Sequence, residues 1–248
     1  MHVNLLGPVE ASSGRGSIGL GGPKQRAVLA MLALQTGSTV SADRLIDGLW
    51  GDDPPASAVK LVQLYVSHLR RALEKEDVIA THGRGYELRL ARHDVDVGRF
   101  ERLLAQGAAR QALRLWRGSP LADVAGEPFA ALEIRRLEEL HTAALELVID
   151  QDLDAGRHRE ALPEIDRLLA TEPLHERLHA CRMLALYRCG RQADALEAYA
   201  QARHTLIDQI GVEPGPEVRR LHEAILRQDP ALDPPAHGSP RIPLFGRE

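Results

Sequence analysis

The sequence predicts a mainly α protein with a small β component, in which a winged helix-turn-helix domain is followed by an all-helical, tetratricopeptide-like domain. Three observations predict this fold class. Residues 57–90 combine an amphipathic helical pattern with a hairpin that follows it at once. Apolar residues then recur at helical spacing over 97–228. Within that stretch Gly156-Arg157 recurs as Gly190-Arg191, an offset of 34 residues, which is the tetratricopeptide period.

The segment before the amphipathic helix predicts a small sheet and two helices. Short apolar stretches at 3–6 and 18–20, next to turns rich in Gly and Ser, predict two strands. Pro23 stands at the first position of a helix that stops at Gly37. Ser41 is the expected N-cap of the next helix, ADRLIDGLW, which ends at the loop GDDPP.

The helix that starts near Ser57 has two different faces on a helical wheel. The apolar face is expected to pack inward and comprises Ala58, Val62, Val66, Leu69 and Leu73. The opposite face is polar and basic, and is therefore free to touch a partner. Its residues are Lys60, Leu64, Ser67 and Arg71, flanked by Ser57 and His68. A solvated helix surface is the alternative interpretation of such a stripe.

The hairpin after this helix alternates as VIAT and YELRL around a turn at 83–85. Three helices and a terminal hairpin are the plan of a winged helix-turn-helix, whose third helix fits the major groove of DNA. Arginine there can take guanine O6 and N7 in a bidentate pair, while the hairpin reaches the minor groove or its phosphates. The predicted DNA-binding residues are Lys60, Leu64, Ser67, His68, Arg70, Arg71, His82 and Arg84.

Charge is distributed unevenly along the chain. The net charge is −4, but residues 1–93 carry 11 Lys and Arg against 9 Asp and Glu, a balance of +2. The remaining 155 residues carry −6. A basic cluster in and just after the amphipathic helix favours nucleic acid as the partner of the first part. This cluster consists of Lys60, Arg70, Arg71, Lys75, Arg84 and Arg89.

The second part of the chain is predicted to be helical almost throughout. Short loops between its helices indicate antiparallel packing, and only about two tetratricopeptide-like repeats are visible. After Gln228 the chain becomes rich in proline and loses periodicity, which predicts a linker. The expected domains are therefore 1–93, 94–228 and 229–248. The helices are predicted at 97–106, 108–116, 127–155, 158–171, 175–189, 191–210 and 214–228.

Several strings resemble known families. SHLRRAL at the end of the helix and GRGYELRL in the hairpin are similar to the DNA-binding domain of OmpR/PhoB-type response regulators, the phosphorelay class of winged helices. The strings LWRGSPLADV, RRLEEL, LYRCGRQADALEAY, GVEPGPEVRRL and AILRQDP follow in that order. They resemble the bacterial transcriptional activation domain of the Streptomyces antibiotic regulatory proteins, and the resemblance extends over nearly all of 1–230.

This resemblance implies a cytoplasmic, sequence-specific activator of antibiotic or other secondary-metabolite genes. Two copies are expected on direct repeats of double-stranded promoter DNA near the −35 element. The winged domain with its GDDPP loop and the helical domain are expected to contact RNA polymerase through the sigma factor and the alpha subunit. No cofactor, metal or membrane partner is expected. The final PLFGRE resembles the lead-in to the ATPase domain of larger family members, which implies that the chain continues beyond Glu248.

Two other motifs raise enzymatic alternatives. His175 to His179 match HExxH, the helical zinc-protease signature, but the string stands at a helix start within the repeat array. Gly14, Gly16 and Gly19 match the dinucleotide-binding pattern GxGxxG, yet no βαβ unit follows, so a hairpin connection is the expected structure. We therefore predict no enzyme. Cys181 and Cys189 are eight residues apart in one predicted helix, too far to bridge.

A different class of function also fits the residues. Tetratricopeptide-like helix pairs form curved surfaces for protein contacts. The chain could accordingly be an adaptor whose winged domain binds protein instead of DNA. Protection of a repeated DNA sequence by the protein distinguishes the activator from the adaptor.

Overall fold

A computed structural model describes residues 1–73 and 76–233. Lys75 of the predicted basic cluster and most of the predicted linker, from 234 onward, lie outside the described residues. The strands are β1 His2–Asn4, β2 Glu10–Ser13, β3 Gly16–Ile18, β4 Val40–Ser41, β5 Ile79–His82 and β6 Gly85–Leu88. The helices are α1 Pro23–Leu34, α2 Ala42–Trp50, α3 Ala58–Ala72, α4 Asp96–Ala105, α5 Ala109–Leu113, α6 Ala130–Asp154, α7 His158–Thr171, α8 Glu176–Arg188, α9 Gln192–Ile210 and α10 Pro216–Arg227.

The amino-terminal sheet has three antiparallel strands in the order β1-β2-β3. The sequence predicts two of them. It does not predict β2, whose residues EASS are mostly small and polar and carry little strand signal. Gly14 and Arg15 form the turn between β2 and β3, and Gly16 begins β3. The GxGxxG string is therefore a hairpin connection, as predicted.

Helices α1, α2 and α3 form the three-helix part of the winged domain. Pro23 begins α1, and the Ser41 side chain accepts a hydrogen bond of 3.1 Å from the backbone N–H of Arg44, which confirms the predicted N-cap. The apolar face of α3 is also confirmed. All five of its predicted core residues are buried, namely Ala58, Val62, Val66, Leu69 and Leu73.

The wing is a three-stranded sheet in the order β4-β6-β5. The predicted hairpin of β5 and β6 is present, with Ile79 opposite Leu88 and His82 opposite Gly85. The two-residue strand β4 adds to its edge and was not predicted, because two residues carry no detectable period. This strand joins the wing to the start of α2.

Asp96 is the first residue of α4. Its carboxylate binds backbone N–H groups directly after strand β1. Asp96 is 2% exposed and accepts hydrogen bonds of 2.8–2.9 Å from the backbone N–H groups of Leu5 and Leu6. The N–H of Val97 donates a further bond of 2.8 Å. Burial raises the pKa of Asp96, and these N–H donors oppose that rise. One side chain thus satisfies two buried amides that no strand neighbour satisfies.

The chain divides into two compact units, Met1–Leu145 and Glu146–Glu248. The division lies within α6, whereas sequence analysis places a domain boundary at residue 93. Backbone bonds explain the larger first unit, since the N–H groups of Arg117 and Leu121 donate to the carbonyls of Leu6 and Leu5. The boundary at 93 stays a prediction about sequence domains, which need not coincide with compact units.

The second unit contains the repeated helix pairs. In α7 to α10 each helix packs on its neighbour in the chain, and α10 also contacts α8. Gly156 and Gly190 have φ of 77° and 75°, a left-handed conformation that favours glycine. After each glycine, the next N–H donates to the carbonyl five residues earlier, at 2.8 Å and 3.0 Å. The predicted offset of 34 residues therefore corresponds to two helix ends, after α6 and after α8, that have the same conformation.

A third copy of this ending occurs at Gly107, in the first unit. Its φ is 73°, and the N–H of Ala108 donates to the carbonyl of Leu103 at 2.9 Å. Five residues after each of the three glycines stands a buried alanine, at Ala112, Ala161 and Ala195. The period of 34 residues does not predict this copy, because Gly107 lies 49 residues before Gly156.

The second unit also includes the start of the predicted linker. Pro230–Leu232 form a short 3-10 helix, Leu232 is 3% exposed, and its carbonyl accepts a hydrogen bond of 2.8 Å from Arg188 Nε. Cys181 and Cys189 are free, and burial raises the pKa of Cys181 to about 12. Within the described ranges, no helix has the length and apolar character needed to cross a membrane.

Candidate nucleic-acid interface

The outward face of α3 carries the predicted polar and basic stripe. Lys60, Leu64, Ser67 and Arg71 are all exposed, and they follow one another at spacings of three or four residues, so they share one side of the helix. We call these four residues the α3 face. A basic group at each end of the stripe and polar or apolar groups between them match the mixed surface that a base-reading helix needs.

Two residues of the α3 face, Lys60 and Arg71, carry positively charged side chains. In the described part of the chain, the side chains of Lys60 and Arg71 have no hydrogen-bond or ion-pair partner, and both residues are exposed. A charged group that is solvated and unpaired loses no internal partner when it binds DNA. Both side chains are consequently available for phosphate or base contacts.

Of the two residues predicted to flank the α3 face, Ser57 is exposed and His68 is less open than predicted. His68 is half-buried, and its Nε2 lies 3.0 Å from the position that a Cβ on Gly21 would occupy. The turn at Gly21, just before α1, therefore lies against this flank. Gln63 on the opposite flank is exposed, and sequence analysis did not select it. Its place on the wheel was visible, but only the packing of the Gly21 turn shows which flank is open.

Arg70 connects α3 to the wing. Its Nε donates to the carbonyl of Ile79 at 2.8 Å, and its Nη2 donates to Thr81 Oγ1 at 2.6 Å. The structure thus places this predicted DNA-binding residue against β5. These bonds fix the wing relative to α3, because they join the last turn of the helix to the first strand of the hairpin.

The wing turn presents Arg84 to solvent. Arg84 is exposed, and its carbonyl accepts a hydrogen bond of 2.8 Å from the N–H of Ala42, so the turn lies beside the start of α2. His82, by contrast, lies 2.7 Å from Glu87 Oε2. The exposed Arg44, in the first turn of α2, adds a positive charge near the turn that sequence analysis did not single out. The wing is therefore basic at its tip and partly neutralised along its strands.

The HERLH string serves the packing of the second unit. His175 Nε2 lies 2.7 Å from Glu146 Oε1, His179 Nε2 lies 2.8 Å from the carbonyl of Pro173, and Glu176 accepts a hydrogen bond from the N–H of Gly215. These contacts use a ring nitrogen of each histidine and the carboxylate of the glutamate. Among the described residues, no three His, Cys, Asp or Glu side chains are grouped as a metal site requires.

The contact between His175 and Glu146 makes the stability of the second unit depend on pH. The hydrogen bond to Glu146 raises the pKa of His175, and the same bond lowers the pKa of Glu146. The pair therefore contributes fully just below the ordinary histidine pKa of 6.5, and its contribution is lost as pH rises through the raised pKa. His175→Gln should lower the free energy of unfolding by about 1 kcal/mol more at about pH 6 than at about pH 9.

The control for this pH effect is His204→Gln, which changes an exposed histidine of α9. Chemical denaturation followed by circular dichroism at both pH values measures the two differences. An equal loss at the two pH values for His175→Gln would contradict the ionic contact with Glu146.

Two family models match the chain. The model described as the carboxyl-terminal part of transcriptional regulatory proteins matches residues 19–88. The model described as the bacterial transcriptional activator domain matches residues 86–226, which is more than half of the chain. The two matches overlap at residues 86–88, within β6, and the predicted sequence-domain boundary lies a few residues later, at residue 93.

Curated relatives match along almost the whole chain. Regulatory protein DnrI of Streptomyces peucetius is 39% identical, and the alignment covers 98% of this chain and 97% of that protein. Regulatory protein AfsR of Streptomyces coelicolor is 42% identical over 94% of this chain, but the chain spans only 25% of its length. Transcriptional regulator RedD of Streptomyces coelicolor is 36% identical, and the alignment covers 95% of this chain and 73% of that protein.

A solved structure has the same fold. Mycobacterium tuberculosis EmbR, determined in complex with a low-affinity phosphopeptide, is 34% identical. The two structures superpose with a TM-score of 0.85 over 92% of this chain and 65% of EmbR. The mainly helical fold with a winged domain and a helical activator domain is thereby confirmed.

Proposed function

Because this chain belongs to the Streptomyces antibiotic regulatory protein family of transcriptional regulators, we propose that it activates secondary-metabolite genes by binding promoter DNA with its α3 face. Two copies bind direct repeats near the −35 element and recruit RNA polymerase. The protein acts without a cofactor, in the cytoplasm, and has no catalytic role.

The observation that carries this proposal is the exposed positive charge of the α3 face. The side chains of Lys60 and Arg71 have no partner among the described residues, while the residues of the apolar face on the other side of the helix are buried. A helix held rigidly by its apolar face can present its outer face to the major groove without rearrangement. Arg71 is the proposed guanine-reading residue, since its guanidinium can donate two parallel hydrogen bonds.

The other predicted DNA-binding residues take supporting roles in this proposal. Arg84 at the wing tip binds backbone phosphate, because the turn places it at the edge of the domain and in solvent. Arg70 positions the wing through its bonds to β5, and His82 orients the wing strand through Glu87. Ser67 and His68 contribute hydrogen bonds at the centre and the covered flank of the face.

The proposed polymerase contacts rest on exposed acidic surface. Asp52, Asp53, Pro54 and Pro55 of the loop between α2 and α3 are all exposed. Acidic residues on a loop next to the DNA-reading helix suit a basic surface of the polymerase, and complementary charge accelerates encounter. The sigma factor and the alpha subunit are the proposed recipients of this loop and of the helical domain.

Footprinting on the promoter regions of neighbouring genes tests the proposed function. We expect two protected direct repeats upstream of at least one promoter, with one copy of the protein on each repeat. Protection should appear cooperatively as protein is titrated. Absence of any protected repeat at low salt would contradict DNA binding and favour the adaptor function.

Arg84→Ala should weaken binding about equally on all sequences, because a phosphate contact carries no base information. The slope of log K against log salt concentration should become shallower by about 1 unit, the change expected for one lost phosphate contact. Fluorescence anisotropy on cognate and scrambled duplexes over a salt series measures both effects. Arg159→Ala, an exposed arginine of α7, removes the same charge elsewhere and should leave the slope unchanged. A selective loss on the cognate duplex would reject the phosphate role of Arg84.

A further inference from the structure

Leu64 is an exposed apolar residue in the middle of a polar face. Among the described residues of the first compact unit, three large hydrophobic side chains are exposed, and two of them, Val59 and Leu64, lie on α3. Leu64 is 58% exposed, and it lies one turn after Lys60 and about one turn before Ser67. It therefore occupies the centre of the α3 face and not its margin.

The major groove offers one kind of apolar group to such a side chain. Base edges present hydrogen-bond donors and acceptors there, and thymine alone of the four bases adds a C5-methyl group. A leucine pressed onto a polar base edge would remove water from that edge without replacing its hydrogen bonds, which is unfavourable. Contact with a thymine methyl instead removes apolar surface of both partners from water.

We propose that Leu64 is a specificity-determining residue that packs on the C5-methyl group of a thymine in each repeat. This inference rests on the proposed DNA-binding function and names a base that the α3 face selects. Leu64 and Arg71 are seven residues apart, which is about 10 Å along a helix that rises 1.5 Å per residue. Because stacked base pairs are about 3.4 Å apart, the thymine lies within about three base pairs of the guanine that Arg71 reads.

The probes for this inference are duplexes that the full chain enriches from a randomised DNA library. Each thymine of an enriched duplex is replaced in turn by deoxyuridine, which removes the methyl group and keeps the base pairing. We expect about fourfold weaker binding at one thymine position per repeat, the loss that corresponds to about one buried methyl group. That position should lie within about three base pairs of the guanine on which binding by Arg71 depends.

The variant Leu64→Ala connects the methyl effect to the side chain. It should bind the thymine and deoxyuridine duplexes equally at the position in question. Leu132→Ala on α6 is the matched control, since Leu132 is a 63% exposed leucine of the same unit, and it should keep the fourfold difference. Both side chains are exposed, so thermal melts of the two variants should match that of the parent.

The outcomes distinguish the proposed role of Leu64 from the proposed DNA-binding function on which it rests. Enriched duplexes that bind equally well with deoxyuridine at every thymine overturn the role of Leu64 and leave DNA binding standing. A Leu64→Ala variant that keeps the fourfold difference does the same. Failure of the library to yield any enriched sequence removes the proposed DNA-binding function itself and the inference with it.

Discussion

Replacing Asp96 with alanine is expected to lower the free energy of unfolding of the first compact unit by about 3 kcal/mol or more. The Asp96 carboxylate accepts hydrogen bonds from the N–H groups of Leu5 and Leu6, and both of these residues are fully buried. Without the carboxylate, two buried amides lose their partners, and each costs about 1–3 kcal/mol. The apolar alanine also leaves space that the surrounding residues fill only in part.

Two further variants test whether the hydrogen bonds cause this loss. Asp94→Ala removes a carboxylate two residues earlier, which lies 3.6 Å from Nδ1 of the exposed His2, and should cost less than about 1 kcal/mol. Asp96→Asn keeps the shape of the side chain but brings an NH2 group toward amide donors, so it should fall between the other two. Calorimetry of the full chain measures the loss of stability of each variant relative to the parent. Equal losses for Asp94→Ala and Asp96→Ala would contradict the role of the buried bonds.

Arg71→Ala is expected to weaken binding to the cognate repeat by about 1–3 kcal/mol, or roughly fivefold to more than a hundredfold. Arg71 is exposed on the α3 face and has no partner among the described residues, so its substitution leaves no buried group unpaired. The loss should be specific. Binding to a scrambled duplex should change far less, because a bidentate contact with guanine discriminates between bases whereas a phosphate contact does not.

The measurement compares Arg71→Ala, Arg84→Ala and the parent on cognate and scrambled duplexes at one salt concentration. Arg71→Ala should reduce the ratio of the two affinities, and Arg84→Ala should preserve it. Library selection with Arg71→Ala should relax the sequence preference at one guanine position. Full cognate affinity of Arg71→Ala would exclude this residue from base reading.

Much of the fold was predictable from local patterns. The face of α3 that is buried, the N-cap at Ser41 and the helix endings at Gly156 and Gly190 were each visible as a period or as a residue with a special backbone preference. Strands β2 and β4 were not visible in the sequence, because short strands of small or polar residues depend on their neighbours for stability. The third helix ending at Gly107 was overlooked because its spacing differs.

The candidate site was predicted less completely than the fold. The sequence identified the exposed stripe from Lys60 to Arg71, because periodicity alone assigns residues to one side of a helix. It selected Arg70 and His82 for their charge, and the structure shows that both have partners in the wing. It also selected His68 and passed over Gln63, since a wheel cannot show that the Gly21 turn covers one flank and leaves the other open.

The sequence by itself thus determined which residues form helices, which side of α3 is buried, and the family to which the chain belongs. The first two properties depend on neighbours within about one or two turns, whose effects repeat along the chain. Only the tertiary structure decided which polar side chains have hydrogen-bond partners among the described residues. It also decided that Asp96 binds the backbone of residues about 90 positions earlier. Such pairings join distant parts of the chain and leave no periodic trace, because they depend on where separate elements come to lie in space.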